Sequence, residues 1–300
     1  MVDFYLRGSG EHPPGTFPHD LVDQRSGGRG AVFLDYAEHG RAFLTRAATR
    51  ALTWCNEHCS FAHANLGSLF PYLPKRPGYN KRLRAALPLV KKAIRLLAVD
   101  SDFWFDNHWI VDSTPVPCGM SRTTVKRSDM AGRAGYGYCA SHSRFFWGLR
   151  LYLVCTPTGM PITWALANPK IDEREVLASM LEREPHLATD RPGLLVIADK
   201  GFASKEFEND LAMRGAPLLR PSFKREKRRK GESLLKSVRQ LIESVNDTLK
   251  GQLDLEQHGG RSFEGVAVRV AQRILAMAAA IWHNHKTNVP VLRSLIAFDH

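Results

Sequence analysis

The stretch His108-Trp109-Ile110-Val111-Asp112-Ser113-Thr114-Pro115-Val116 constrains this chain more than any other. An aromatic and β-branched run stopped by proline predicts a short buried strand, yet it carries a carboxylate. Burying a carboxylate is costly unless it is paired or hydrogen-bonded, so Asp112 needs a partner. Two other acidic residues sit in comparable settings: Asp199 closes the apolar run Gly193-Leu194-Leu195-Val196-Ile197-Ala198, and Glu243 lies inside a helical stretch. Three carboxylates meeting from separated elements would hold divalent metal and act on phosphodiester bonds.

A chain of 300 residues with 44% hydrophobic content can build one large domain or two modest ones, which excludes a disordered polymer. The net charge of +12 and pI near 9.7 imply a polyanionic partner, a phosphate backbone or an acidic membrane; a basic but otherwise ordinary enzyme is the plainer reading of charge alone. The apolar run from Ile274 to Trp282 is too short to span a bilayer. Residues 1–30 are broken by glycine, proline and charge, unlike a signal peptide. A soluble, intracellular protein is therefore expected, and the 5 cysteines fit free thiols in a reducing compartment. Cys55, His58, Cys59 and His63 resemble metal-ligand spacing only loosely, because Cys-x3-Cys lacks a second matching pair.

Along the chain, residues 1–30 read as irregular, Arg41 to Trp54 has helical potential, and Leu66 to Tyr79 reads as a rigid apolar connector. Asn80 then caps an amphipathic helix bearing Leu83, Leu87, Val90, Ile94 and Leu97, kinked at Pro88. From Pro117 to Ser143 a long functional loop is predicted, in which Arg122, Lys126, Arg127, Arg133, Tyr136 and Tyr138 suit a nucleic-acid strand. Phe145–Thr156 and Pro161–Ala167 predict a hairpin around Pro157-Thr158-Gly159. A helix opening at Asp172, the Asp199 strand, a helix from Ser204 to Arg214 and a strand from Ala216 to Leu219 follow.

The abrupt basic run Lys224, Arg225, Lys227, Arg228, Arg229 and Lys230 reads as a phosphate-contacting loop, or more plainly as a solvated charge run. Ser233 to Leu249 carries a helical apolar stripe, with Arg239, Glu243, Asn246 and Lys250 aligned on a separate polar face. As a mere surface, that face holds an Arg239–Glu243 pair of little value. A last helix runs from Glu264 to about Asn284.

Phosphodiester chemistry needs an activated oxygen nucleophile and compensation for charge on the attacking and leaving oxygens. Two ions about 3.5–4 Å apart supply both, and hard oxygen ligands select Mg²⁺ or Mn²⁺. Four segments in order, Val111-Asp112-Ser113-Thr114-Pro115-Val116, Gly135-Tyr136-Gly137-Tyr138-Cys139-Ala140, Ala198-Asp199-Lys200-Gly201-Phe202 and Arg239-x3-Glu243-x6-Lys250, together resemble bacterial insertion-sequence transposases of the DDE class. The branch resembled is insertion-sequence family nine-eight-two.

The resemblance covers about Ala62 to His300. It implies an α/β fold, a ribonuclease-H-like mixed sheet flanked by helices, preceded by a mostly helical and partly irregular N-terminal region. Catalytic and metal-binding roles are carried onto Asp112, Asp199 and Glu243, with two Mg²⁺ or Mn²⁺ ions. Arg239 and Lys250 would contact DNA, joined on grounds of charge by Lys224, Arg225, Lys227, Arg228 and Arg229. Lys236 stands where the related signature has tyrosine. The expected organisation is an irregular segment over 1–61, a helical DNA-binding connector over 62–104 and the catalytic domain over 105–300. The implied partners are double-stranded DNA, as terminal inverted repeats and target, and a second copy in the synaptic complex, in the bacterial cytoplasm at the nucleoid. A nuclease of the same fold, an inactive transposase relic and a non-enzymatic DNA-binding protein are the competing readings.

Overall fold

A computed structural model of the chain describes residues 72–139 and 143–291. The expectations for residues 1–61, including the Cys55, His58, Cys59 and His63 cluster, lie outside them.

The described chain opens with two helices, α1 (Arg76–Ala85) and α2 (Leu87–Val99), joined at Ala86. The single kinked helix expected from Asn80 is thus two. Pro88 occupies the first turn of α2, where its missing N–H has no helical partner to lose. Asn80 caps nothing; it sits inside α1 and its Oδ1 accepts a hydrogen bond from Arg269.

Strand β1 (His108–Gly119) runs further than expected, through Pro115 and Pro117. Both prolines lie beyond the His108–Ile110 segment that pairs with a second neighbour, where β1 has a partner on one side only. That is where a strand tolerates proline. The expected loop after it instead holds a short helix α3 (Arg122–Lys126), capped by Ser121, and strand β2 (Gly135–Cys139). Then come β3 (Arg144–Cys155), β4 (Pro161–Ala167), α4 (Glu173–Arg183), α5 (His186–Thr189), β5 (Leu195–Ile197), α6 (Lys205–Met213), β6 (Leu218–Leu219), α7 (Leu235–Asp247) and α8 (Phe263–Lys286).

The six strands form one mixed sheet. Its path is β3, β1, β5, β6, with β2 and β4 pairing successive lengths of the free edge of β3. The pairs β1–β3, β2–β3 and β3–β4 are antiparallel; β1–β5 and β5–β6 are parallel. Gly148 is required at the crossing of β3 and β1, because a Cβ there would stand 2.2 Å from the Val116 carbonyl oxygen.

Alternation along β1 splits the core into two layers. Ile110 and Val116 face the layer made by α2, α7 and α8; Trp109 and Val111 face the layer made by α4, α5 and α6. Helix α8 is long and apolar enough to cross a membrane, but 72% of its most apolar window is buried inside the protein. It is the central core helix of the first layer.

Candidate active site

The period-2 geometry of β1 separates two neighbouring residues. Asp112 shares a face with Ile110 and looks toward α7; Ser113 looks toward α4. Each is met by a residue from its own side. Asn246 of α7 donates from Nδ2 to Asp112 Oδ2 at 2.6 Å, while Oδ1 accepts the Ser113 N–H at 2.8 Å. Ser113 donates from Oγ to Glu173 Oε1 at 2.9 Å, at the first turn of α4.

Asp199 reaches the same place through strand register. In the parallel β1–β5 pair Ile110 stands opposite Ile197, so Asp112 and Asp199 are each two residues beyond the same rung. Neighbouring strands are about 4.8 Å apart, and the C-terminal ends of parallel strands are where such sheets expose binding crevices. Beyond β5 the chain turns into a short 3₁₀ helix (Lys200–Phe202), which Asp199 caps by accepting the Gly201 N–H at 2.8 Å. Gly201 is required here: a Cβ on it would meet Glu173 Oε2 at 2.7 Å and Asp199 Oδ1 at 3.0 Å. The Glu173 and Asp199 carboxylates therefore both lie close to the Gly201 backbone.

Burial pushes the Asp112 carboxyl up to about 6, and the charges of Asp199 and Glu173 push in the same direction, against its two hydrogen bonds. An anion held in this way is short of positive charge. The positive charge on this side of the sheet, Arg150 on β3, is paired with Glu173. Its Nη1 donates to Glu173 Oε1 at 2.6 Å and to Ser113 Oγ at 2.9 Å, and its Nη2 donates to the Tyr138 carbonyl at 2.9 Å.

Glu243 lies elsewhere on the surface of α7, one turn before Asn246. It is exposed and pairs with Arg239, whose Nε donates to its Oε1 at 2.9 Å. Lys250 falls in a π-helical turn (Thr248–Gln252) that follows α7, so the regular helical phase that would align it with Arg239 and Glu243 ends at Asp247. Among the described residues, no three His, Cys, Asp or Glu side chains converge to hold an ion as they stand.

The basic run is not uniform. Lys224, Arg225, Lys227, Arg228 and Lys230 are exposed. Arg229 instead donates to Glu208 and Glu226 at 2.9 and 2.8 Å, beside the buried Arg220, which binds the same two carboxylates. That network tethers the loop to α6.

Glu173 is the acidic neighbour that the sequence reading missed. Its only local signal is an acid in the first turn of a helix, a common placement that the helix dipole favours anyway.

The transposase DDE domain family matches residues 103–279, more than half of the chain and the whole of the sheet and its carboxylates. The chain belongs to the transposase DDE domain family. Searches of curated proteins and of solved structures return no match.

The family implies divalent metal. Here the donor chemistry fits: Asp112 and Asp199 offer hard carboxylate oxygens, each two residues beyond the last rung of the parallel β1–β5 pair.

Proposed function

We propose that this protein is a DNA transposase that cleaves phosphodiester bonds at the ends of a mobile element and joins the released 3′ hydroxyl to target DNA. The reading takes Asp112, Asp199 and Glu243 as its acidic set, on a ribonuclease-H-like core of the insertion-sequence nine-eight-two branch. The observation that carries it is the position of Asp112 and Asp199 beyond one rung of a parallel strand pair, within the family match. The strand order β4, β3, β1, β5, β6, with the first two pairings antiparallel and the last two parallel, supports the ribonuclease-H-like core.

On this reading Asp112 and Asp199, with Glu243 once α7 engages DNA, hold two Mg²⁺ or Mn²⁺ ions. When bound, these ions supply an activated oxygen and neutralise charge on the attacking and leaving oxygens. The protein's own share is positional. Asn246 fixes the rotamer of Asp112 through a charge-assisted hydrogen bond. Gly201 lets the Asp199 turn close against α4. Arg239, Lys250 and the exposed cations of the 224–230 loop would bind phosphates of double-stranded terminal repeats and target, in a dimeric synaptic complex at the bacterial nucleoid.

The test uses labelled precleaved and uncleaved DNA ends with Mg²⁺. Wild type is expected to nick and to join, and Asp112→Asn to bind DNA with both products at background. Nicking without joining would identify a nuclease of the same fold. Equal nicking by mutant and wild type would remove Asp112 from the chemistry. Binding by wild type with neither product would identify an inactive relic, a reading favoured by the exposed Arg239–Glu243 pair.

A further inference from the structure

We propose that the outer face of β2 and the start of β3 form a stacking platform for unpaired bases of a DNA strand; this rests on the DNA-transposase reading above. The alternation Gly135-Tyr136-Gly137-Tyr138 builds it. A Cβ at Gly135 would stand 2.4 Å from Asn168 Oδ1, and one at Gly137 would stand 2.6 Å from Pro169 Cβ. The glycine face of β2 is thus pressed against the connection between β4 and α4. Side chains alternate along a strand, so Tyr136 and Tyr138 are turned to the other face, where they are 55% and 45% exposed. Phe145 stands opposite Tyr138 in the β2–β3 register and is 79% exposed, with the two ring centroids 4.9 Å apart.

A contiguous exposed aromatic patch marks an interaction surface, and the charge beside it selects the partner. Trp147 stands opposite Tyr136, and a Cβ at Gly119 would lie 3.0 Å from the Trp147 ring and 3.4 Å from Val125 of α3. Helix α3 therefore abuts the rung that carries Tyr136. Arg122, Lys126 and Arg127, in and just after this helix, are exposed and form no ion pair among the described residues. Asp129 is the one acid between Met120 and Tyr138, and Arg133 is taken up by Glu264.

A polyanion with flat faces fits both halves, its phosphates meeting the cations and its bases the rings. Stacking on side chains requires bases with a free face, which favours an unpaired strand over a closed duplex. A second copy of this chain meeting the face symmetrically would set like charges against each other. Arg150 ties the platform to the Asp112 strand: its Nη2 donates to the Tyr138 carbonyl while its Nη1 donates to Ser113 Oγ, one residue after Asp112.

The experiment measures binding of the full chain to a fluorescein-labelled single strand of mixed sequence, and to a duplex of the same length, by anisotropy in EDTA at stepped NaCl. Phe145→Leu keeps an apolar side chain and removes the ring, whereas Phe145→Trp keeps a ring. Phe145→Leu is expected to weaken single-strand binding about tenfold, which is about 1.4 kcal/mol and inside the range for one stacked base. Its salt slope is expected to match that of wild type, because no phosphate contact is removed. Phe145→Trp is expected to stay within about twofold of wild type, and duplex affinity to move by less than about twofold in both variants.

If wild type binds the single strand and Phe145→Leu matches it, the platform is refuted and the DNA reading stands. Binding of the duplex alone, or an equal loss in the leucine and tryptophan variants, refutes the platform in the same way. If Phe145→Leu instead turns a self-associating chain into a monomer in sedimentation velocity, with single-strand affinity unchanged, a second copy covers the face and the platform is again refuted. If wild type binds neither DNA, the underlying reading falls with it. Should a Phe145 variant fail to fold, Tyr138→Leu takes its place under the same criteria.

Discussion

Single side chains show where this protein stores vulnerability. His258 is buried with both ring nitrogens engaged: Nε2 faces the Pro117 carbonyl at 2.9 Å, and Nδ1 accepts the Gly260 N–H at 3.0 Å. Burial, aided by Arg273 and Arg269, pushes its pKa from 6.5 down to about 4. The ring is thus neutral in the fold but protonates in the unfolded chain below pH 6.5. Stability is fully present above that value and drains away as the pH falls toward 4, by about 3 kcal/mol at about 1.4 kcal/mol per unit. His258→Gln is expected to flatten the acid limb of the unfolding free energy between pH 6 and 4, measured by urea titration at stepped pH; an unaltered slope would assign that limb to other groups. At this same scale Asp112 and Asp199 were readable from sequence, because a carboxylate at the end of an apolar run contradicts its surroundings. Glu173 contradicts nothing locally. Its partner Ser113 lies 60 residues away, and only folding brings the two together.

At the scale of elements, the 220–232 loop behaves as two parts. Arg220, Glu226, Arg229 and Glu208 form its anchor, and their contact holds the Glu226 carboxyl down to about 2, chiefly through Arg220. The other cations project from it. Charge-neutral variants at Lys224, Arg225, Lys227 and Arg228 are expected to flatten the salt dependence of DNA affinity by up to about 0.9 for each phosphate that is no longer neutralised, read by fluorescence anisotropy at stepped NaCl. Arg229→Ala is expected to leave that slope alone and to cost about 1–3 kcal/mol of stability, because it strips a hydrogen-bonded charge from a partly buried network. The reverse pattern would make Arg229 a DNA contact and the remainder a solvated run. Sequence reasoning saw the charges here but not the tether, since the glutamate at 208 belongs to another helix. Elsewhere it took Pro115 as the end of β1, because whether a strand tolerates proline depends on how far its neighbour β5 extends. It missed β2 because Gly135-Tyr136-Gly137-Tyr138-Cys139 has no apolar run to announce a strand.

Across the whole molecule, the packing runs through the boundary expected between residues 104 and 105. Leu87, Ile94 and Ala98 of α2 belong to the same core as Ile242, Val245 and the buried face of α8. Removing one large core side chain costs about 2–5 kcal/mol, against a total stability of about 5–15 kcal/mol for a native protein. A chain begun at residue 105 is therefore expected to lose cooperative unfolding and to bind a hydrophobic dye, in contrast to the full chain. A cooperative 105–300 fragment would make the first two helices an appendage.

The peptide joining Asp112 to Ser113 lies between the two helical layers, and its successive side chains are gripped from opposite directions by Asn246 and Glu173. A nudge to α7 or to α4, however remote its origin, arrives at this one link as a change in how a carboxylate is aimed. Cargo pressing on either flank of the sheet would be felt at the same spot.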